Sequence, residues 1–195
     1  MNAPNAPAVD VTTWFLEQTS PGDLSPSAAP GPESGTDILR AEIASPEFSR
    51  FLYTAVGGDH HWTDRLPWSH RQWEEWLGRA GSETWVLYVR GTPAGFVELD
   101  AQDGATVEIA YFGLLPSFTG RGLGGHLLSF GLARAWDLAE RHTGRRVTTR
   151  VWVHTCSLDG PAALGNYERR GMRIYDARTR PETVGPTPGP WPGAR

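Results

Sequence analysis

The sequence predicts a mixed α/β domain with one central, mostly antiparallel sheet flanked by helices. Three observations carry that expectation. Between residues 84 and 115, short β-patterned runs are separated by tight Gly/Pro/Asp turns, as in an antiparallel meander. Helical periodicity precedes this meander and recurs twice after it, alternating with two further strands. The prolines crowd the ends, six of 16 in residues 1–32 and five in 181–195, leaving the interior free to build a core. The order helix, meander, helix, strand, helix, strand is not that of a regular doubly wound fold.

Taken in chain order, residues 1–35 read as a Pro-rich tail carrying one β-branched and aromatic segment, 11–17, able to add a strand to the sheet. Residues 36–180 form the domain, and 181–195 a second Pro-rich tail. Residues 1–8 and 185–195 are expected to be dispensable for folding, since neither carries a periodic apolar face. The first predicted helix starts at Ser69. Its side chain can cap the backbone, Gln72 completes a capping box, and Trp68 can pack back onto Trp73. Strands follow over 84–89 and 95–99, joined by Gly91-Thr92-Pro93, and a third over 107–115 follows Gln102-Asp103-Gly104 and stops at Pro116. Leu123, Leu127, Leu128, Leu132, Ala135, Trp136 and Ala139 then share helical spacing up to Gly144. A strand over 147–153, a short helix over 161–170 ending at Gly171, and a strand over 172–175 complete the reading.

Composition narrows the chemistry. All 18 basic residues are arginine, so no Schiff-base lysine and no lysine-dependent phosphate loop is available. One cysteine excludes an internal disulfide and a Cys-rich zinc site. The net charge of −4 gives no support to nucleic-acid binding. No apolar run reaches the roughly 18 residues of a membrane span, so a soluble, cytoplasmic protein with no membrane partner is expected.

The most informative stretch lies between the 107–115 strand and the following helix: Pro116-Ser117-Phe118-Thr119-Gly120-Arg121-Gly122-Leu123-Gly124-Gly125. Glycines let a backbone approach a ligand closely, and a helix N-terminus offers free N–H groups to an anion. A phosphate or pyrophosphate is the ligand suggested. Gly120, Gly122 and Gly125 match G-x-G-x-x-G, but four residues separate the strand from the first glycine and no acid ends the next strand, so a dinucleotide fold fits poorly.

Together with Val107-Glu108-Ile109-Ala110-Tyr111-Phe112-Gly113-Leu114-Leu115, this loop resembles the central motif of the GNAT N-acetyltransferase superfamily, whose signature is Arg/Gln-x-x-Gly-x-Gly/Ala. Gly122 and Gly124 fit the signature, and Thr119 stands where Arg or Gln is usual. The resemblance spans 38–178. It implies a GNAT-type sheet and acetyl-CoA as acyl-donor cosubstrate. Phe112, Gly113 and Leu114 would pair by backbone with the pantetheine, and Gly120, Arg121, Gly122, Leu123, Gly124 and Gly125 would hold the pyrophosphate. A small-molecule or peptide amine would be the acceptor, no metal is implied, and a homodimer is compatible with it.

Among candidate proton carriers, Glu108 stands on the strand before the loop, where a carboxylate beside a cleft can accept a proton from an ammonium group. Alternation places Glu108, Ala110 and Phe112 on one face, and Val107, Ile109 and Tyr111 on the other. Glu98 is a second candidate, and His154, ending a strand, is either a base or a structural histidine. Tyr167, in Asn166-Tyr167-Glu168-Arg169-Arg170-Gly171, resembles the superfamily tyrosine that protonates the departing thiolate; Gly160 stands where members often carry a cofactor-contacting asparagine. Cys156 reads as a packing residue. His60, His61, Asp64, Trp62, Trp68, Trp73 and Trp76 are expected to line the acceptor side, and Arg169, Arg170, Arg173, Arg178 and Arg180 a solvated surface. The reading is thus an acetyl transfer to a primary amine by direct attack in a ternary complex, with Glu108 and Tyr167 as catalytic residues. Its rivals are a non-catalytic acyl-CoA-binding module and an acyltransferase using another donor.

Overall fold

A computed structural model describes residues 8–190. The outer parts of both expected tails, 1–7 and 191–195, lie outside the described residues. Among the described residues, seven strands form one sheet: β1 (Ala8–Gln18), β2 (Thr36–Arg40), β3 (Ser82–Val89), β4 (Thr92–Gln102), β5 (Thr106–Leu114), β6 (Arg150–Cys156) and β7 (Arg173–Thr183). Their order is β2-β3-β4-β5-β6-β1-β7, and every neighbouring pair is antiparallel except β5 with β6. The helices are α1 (Pro46–Gly57), α2 (His70–Leu77), α3 (Leu123–Trp136), α4 (Leu138–Arg141) and α5 (Ala163–Arg169). Among the described residues no helix is long and apolar enough to cross a membrane.

The expected elements are present with shifted bounds. The long helix after the glycine loop is interrupted at Asp137, giving α3 and α4. The α2 capping box forms as read, and the Trp68 and Trp73 rings meet edge to face at 5.2 Å. Two elements are additional. β2 pairs along the outer edge of β3, and α1 starts from Ser45, whose side chain accepts from Phe48 N–H, with Pro46 in its first turn.

The segment expected as an N-terminal tail is largely part of the body. β1 lies between β6 and β7, with Leu16 opposite Val153, and Leu16 is fully buried. Beyond it, Ser27 N–H donates to Ser129 Oγ, Ser25 N–H to the Arg170 carbonyl, and Leu24 packs on the core. At the other end, β7 runs through Pro181, a residue that an edge strand tolerates because its missing N–H costs no ladder bond there.

Adjacent residues of the central strands β3 and β4 serve two cores. Leu87, Val97, Val107 and Ile109 face α3, whose Leu127, Leu128 and Leu132 have no exposed surface. Each such leucine stabilises the fold by about 1.5–3 kcal/mol through leaving water. Val86 and Phe96 face α1, against Leu52 and Val56.

Candidate active site

The parallel ladder between β5 and β6 has three rungs and stops at Glu108 opposite Trp152. Beyond it the strands diverge around a cavity of about 1070 Å³ lined on both sides, by Ile109 to Leu114 from β5 and by Val153, His154 and Cys156 from β6. The cause is local to β5. Glu98 of β4 pairs with Tyr111 and Leu99 with Ile109, so Ala110 is a bulge, which bends a strand and interrupts its pairing. The bulge also corrects the expected alternation. Phe112 and Leu114 join Val107 and Ile109 on the α3 side, whereas Tyr111 packs with the α1 cluster.

The foot of the cavity is the glycine loop. Gly120 and Gly122 have φ of +72° and +77°, a left-handed conformation that favours glycine, and Gly122 is the N-cap of α3. The first α3 N–H groups therefore have no side-chain cap and open toward the cavity, which Gly120, Gly122, Gly124 and Gly125 line. Gly124 is small for a reason other than packing. A Cβ there would stand 3.7 Å from Leu114 and 3.8 Å from Asn166, ordinary contacts, on the cavity wall. Arg121 and Leu123 do not line it. The Arg121 guanidinium lies over the Phe118 ring, and the Leu123 side chain is buried in the core.

Phe112, Gly113 and Leu114 all line the cavity on the stretch where β5 has lost its β6 partner. Tyr167 lines it from α5, with its ring against Phe112 at 5.9 Å. Burial pushes its phenol well above the ordinary tyrosine value, so it stays protonated at all physiological pH. Asn166 and Arg169, neither singled out as a ligand contact in the sequence, line the cavity beside the loop. They stand one turn apart on α5, at i and i+3, which was the available signal. Arg169 is thus not merely a surface residue, whereas Arg170 is turned to the Ser25 carbonyl.

Glu108 and Glu98 are placed differently from expectation. Glu108 does not line the cavity; its Oε2 accepts from Gln102 Nε2 at 2.6 Å, and its Oε1 faces His154 Nδ1 at 3.4 Å. His154, unlike that carboxylate, lines the cavity directly. Glu98 is buried and committed elsewhere. It accepts two hydrogen bonds from Arg65, at 3.1 and 2.8 Å, and one from Trp76 Nε1 at 2.9 Å. Trp68, Trp76 and Tyr111 wall the Arg65 guanidinium at 4.7, 4.1 and 4.4 Å. So Trp68, Trp73 and Trp76 enclose an internal ion pair, while Trp62, His60, His61 and Asp64 line the cavity. Burial, followed by the nearby Asp159 charge, raises the Cys156 thiol, the reverse of an activated nucleophile. Among the described residues no three His, Cys, Asp or Glu side chains are grouped to hold a metal ion.

The C-terminal segment also contributes. Glu182 to Pro186 line the cavity, and Gly189 N–H donates to the Gly58 carbonyl at the end of α1. Of the expected tail, 181–183 ends β7 and 184–190 is a strap between β7 and α1.

The same architecture occurs in solved structures. A GCN5-related N-acetyltransferase from Kribbella flavida is 20% identical over 92% of this chain and 61% of its own, with a TM-score of 0.62. Another from Sphaerobacter thermophilus is 19% identical over 92% and 53%, with a TM-score of 0.56. A crystal structure described as a putative GNAT-family acetyltransferase, from Novosphingobium aromaticivorans, is 19% identical over 90% and 66%, with a TM-score of 0.53. The chain thus spans between 53% and 66% of the length of these structures, and at such identity the likeness is one of fold. No curated protein matches the sequence. The family model of the GNAT acetyltransferases matches residues 42–172, more than half of the chain and including the whole of β5, the glycine loop and α5. By that match the chain belongs to the GNAT acetyltransferase family.

Proposed function

We propose that this protein transfers the acetyl group of acetyl-CoA to a primary amine by direct attack within a ternary complex. The observation that carries the reading is the parting of β5 and β6 over an uncapped, glycine-lined helix N-terminus. Backbone groups of Phe112, Gly113 and Leu114 on the unpaired side of β5 would take an extended pantetheine as a further strand. The N–H groups at the start of α3 would take the pyrophosphate, with Arg169 beside them as a cation for phosphate. The space left at Gly124 supports close approach of such a group.

Acetyl-CoA supplies an acyl group activated as a thioester. On the protein side, Tyr167 carries a proton beside the cavity wall from which the thiolate would depart, and burial keeps its phenol un-ionised. The raised thiol of Cys156 disfavours an acyl-enzyme route. The end lined by Trp62, His60, His61 and Asp64 would receive the amine.

The test is calorimetric titration of the full chain with acetyl-CoA and with longer acyl-CoAs. It is followed by a free-thiol screen against small amines and peptides. Saturable binding with thiol release dependent on both donor and amine is expected. Binding without release under any pairing would favour an acyl-CoA-binding module instead, and preference for a longer chain would replace the acetyl donor.

A further inference from the structure

We infer that His154 is the base that deprotonates the acceptor amine, and that Glu108 is its positioning residue. The inference rests on the acyl-transfer reading above and deepens it.

The geometry assigns the roles in three steps. First, access separates the two groups. The His154 side chain is 51% exposed and lines the cavity, whereas that of Glu108 is 14% exposed and stands outside its lining. Second, both oxygens of Glu108 are engaged. Trp152 Nε1 donates to Gln102 Oε1 at 3.0 Å, and Gln102 Nε2 donates to Glu108 Oε2 at 2.6 Å. With Oε2 held in that way, Oε1 is turned to His154 Nδ1 at 3.4 Å. Third, an imidazole whose Nδ1 faces a carboxylate carries its proton there and keeps Nε2 as the acceptor. Among the described residues no polar group is hydrogen-bonded to Nε2. The ring is held between aromatic neighbours, Phe15 of β1 at 6.2 Å and Trp152 of its own strand at 6.0 Å.

The charges around the ring favour its protonated form, as a proton-accepting group requires. The Glu108 carboxylate raises His154 above the ordinary histidine value, burial opposes it, and Asp159 and Asp64 add smaller contributions in the same direction as Glu108. β1 presents Phe15 to the ring, and the Arg178 guanidinium of β7 stacks on Phe15, one ring removed from the imidazole.

The transfer then balances. His154 Nε2 takes one proton from the incoming ammonium group. The freed nitrogen forms the C–N bond to the acyl carbon as the C–S bond breaks, and the sulfur takes the Tyr167 proton. The second nitrogen proton, passed through water, restores the Tyr167 hydroxyl, and His154 releases its own to solvent. One ammonium ion and one acyl thioester give one amide, one thiol and one proton.

The experiment combines two measurements on the full chain and its Glu108→Gln and His154→Gln variants. The first follows the His154 imidazole by NMR over pH in protein labelled at histidine. The midpoint should lie above that of a free histidine and fall in Glu108→Gln. The second is the pH profile of kcat/KM for acetyl-CoA and the best amine from the thiol screen. The rate should rise with pH through the imaged His154 midpoint, because only the neutral ring accepts a proton. Glu108→Gln should move that limb to lower pH with a modest loss. His154→Gln should abolish the limb and lose about 10²- to 10⁴-fold. Near wild-type turnover in His154→Gln, with the full loss in Glu108→Gln, overturns the assignment and leaves acyl transfer standing. An unmoved His154 midpoint in Glu108→Gln overturns the positioning role. Absence of amine-dependent turnover in the wild-type protein overturns the acyl-transfer reading, and the base with it.

Discussion

Replacing Gly124 by alanine should make the protein more stable and a poorer binder of acetyl-CoA. Gly124 lies in the first turn of α3 with a backbone that alanine can adopt, and the added Cβ would meet Leu114 and Asn166 at 3.7 and 3.8 Å. Nothing in the fold has to move. Glycine in a helix forfeits chain entropy, so alanine should contribute about 0.4–1 kcal/mol. For a domain of this size that corresponds to a rise in Tm of about 1–4 °C. The same methyl stands on the cavity wall where backbone N–H groups would approach an anion. Weakening one hydrogen bond to a charged group costs about 1.5–3 kcal/mol, or roughly 10- to 100-fold in Kd. Gly124→Glu places a carboxylate there and should lose more. Thermal melts and calorimetric titration with acetyl-CoA read both quantities on one preparation. A folded Gly124→Glu protein with unchanged affinity would refute the placement of the pyrophosphate at this loop.

Three further outcomes follow from the geometry. Arg65→Leu leaves Glu98 buried without its partner and should cost about 3–5 kcal/mol; chemical denaturation checks this, and a loss below about 1 kcal/mol would mean the pair is not sequestered. The Glu83 carboxylate is fully buried, and burial alone would raise it, but hydrogen bonds from Arg141, Trp85 and His142 outweigh burial and hold it below the ordinary glutamate value. Its stabilisation is therefore present above the unfolded-state value and lost as pH falls through the folded one, so Glu83→Gln should flatten the acid side of the Tm–pH curve, and an unchanged acid limb would count against it. Tyr167→Phe should keep acetyl-CoA affinity while turnover falls about 10²- to 10⁴-fold, without recovery at high pH, because the missing group is an acid; equal turnover would remove Tyr167 from the chemistry.

Local signals and long-range consequences divide what the sequence disclosed. The α2 cap, the meander turns and the glycine loop were legible because each is set by residues a few positions apart. α1 carries the same kind of signal, Ser45 and Pro46 followed by Leu52 and Val56 one helical turn apart, and was readable on those terms. The bulge at Ala110 was not, since no residue preference marks it and one extra residue reverses every side chain after it. That reversal moves Phe112 beside Tyr167. Nor could spacing show that β1, first in the chain, pairs with both β6 and β7, or that His154, 46 residues further along the chain, meets Glu108. Arg65 had no periodic signal at all, because its reason to be buried is Glu98, 33 residues away.

The most direct test of acyl transfer at the parted strands counts products in a single reaction. The full chain is incubated with acetyl-CoA and the best acceptor amine, and free thiol and acetylated amine are quantified together, with intact-protein mass measured in parallel. One thiol per acetylated amine, no release without amine, and no acetyl group on the protein are the expected results. Thiol release without amine, or an acetylated protein able to pass its acyl group on after acetyl-CoA is removed, would contradict direct transfer in a ternary complex.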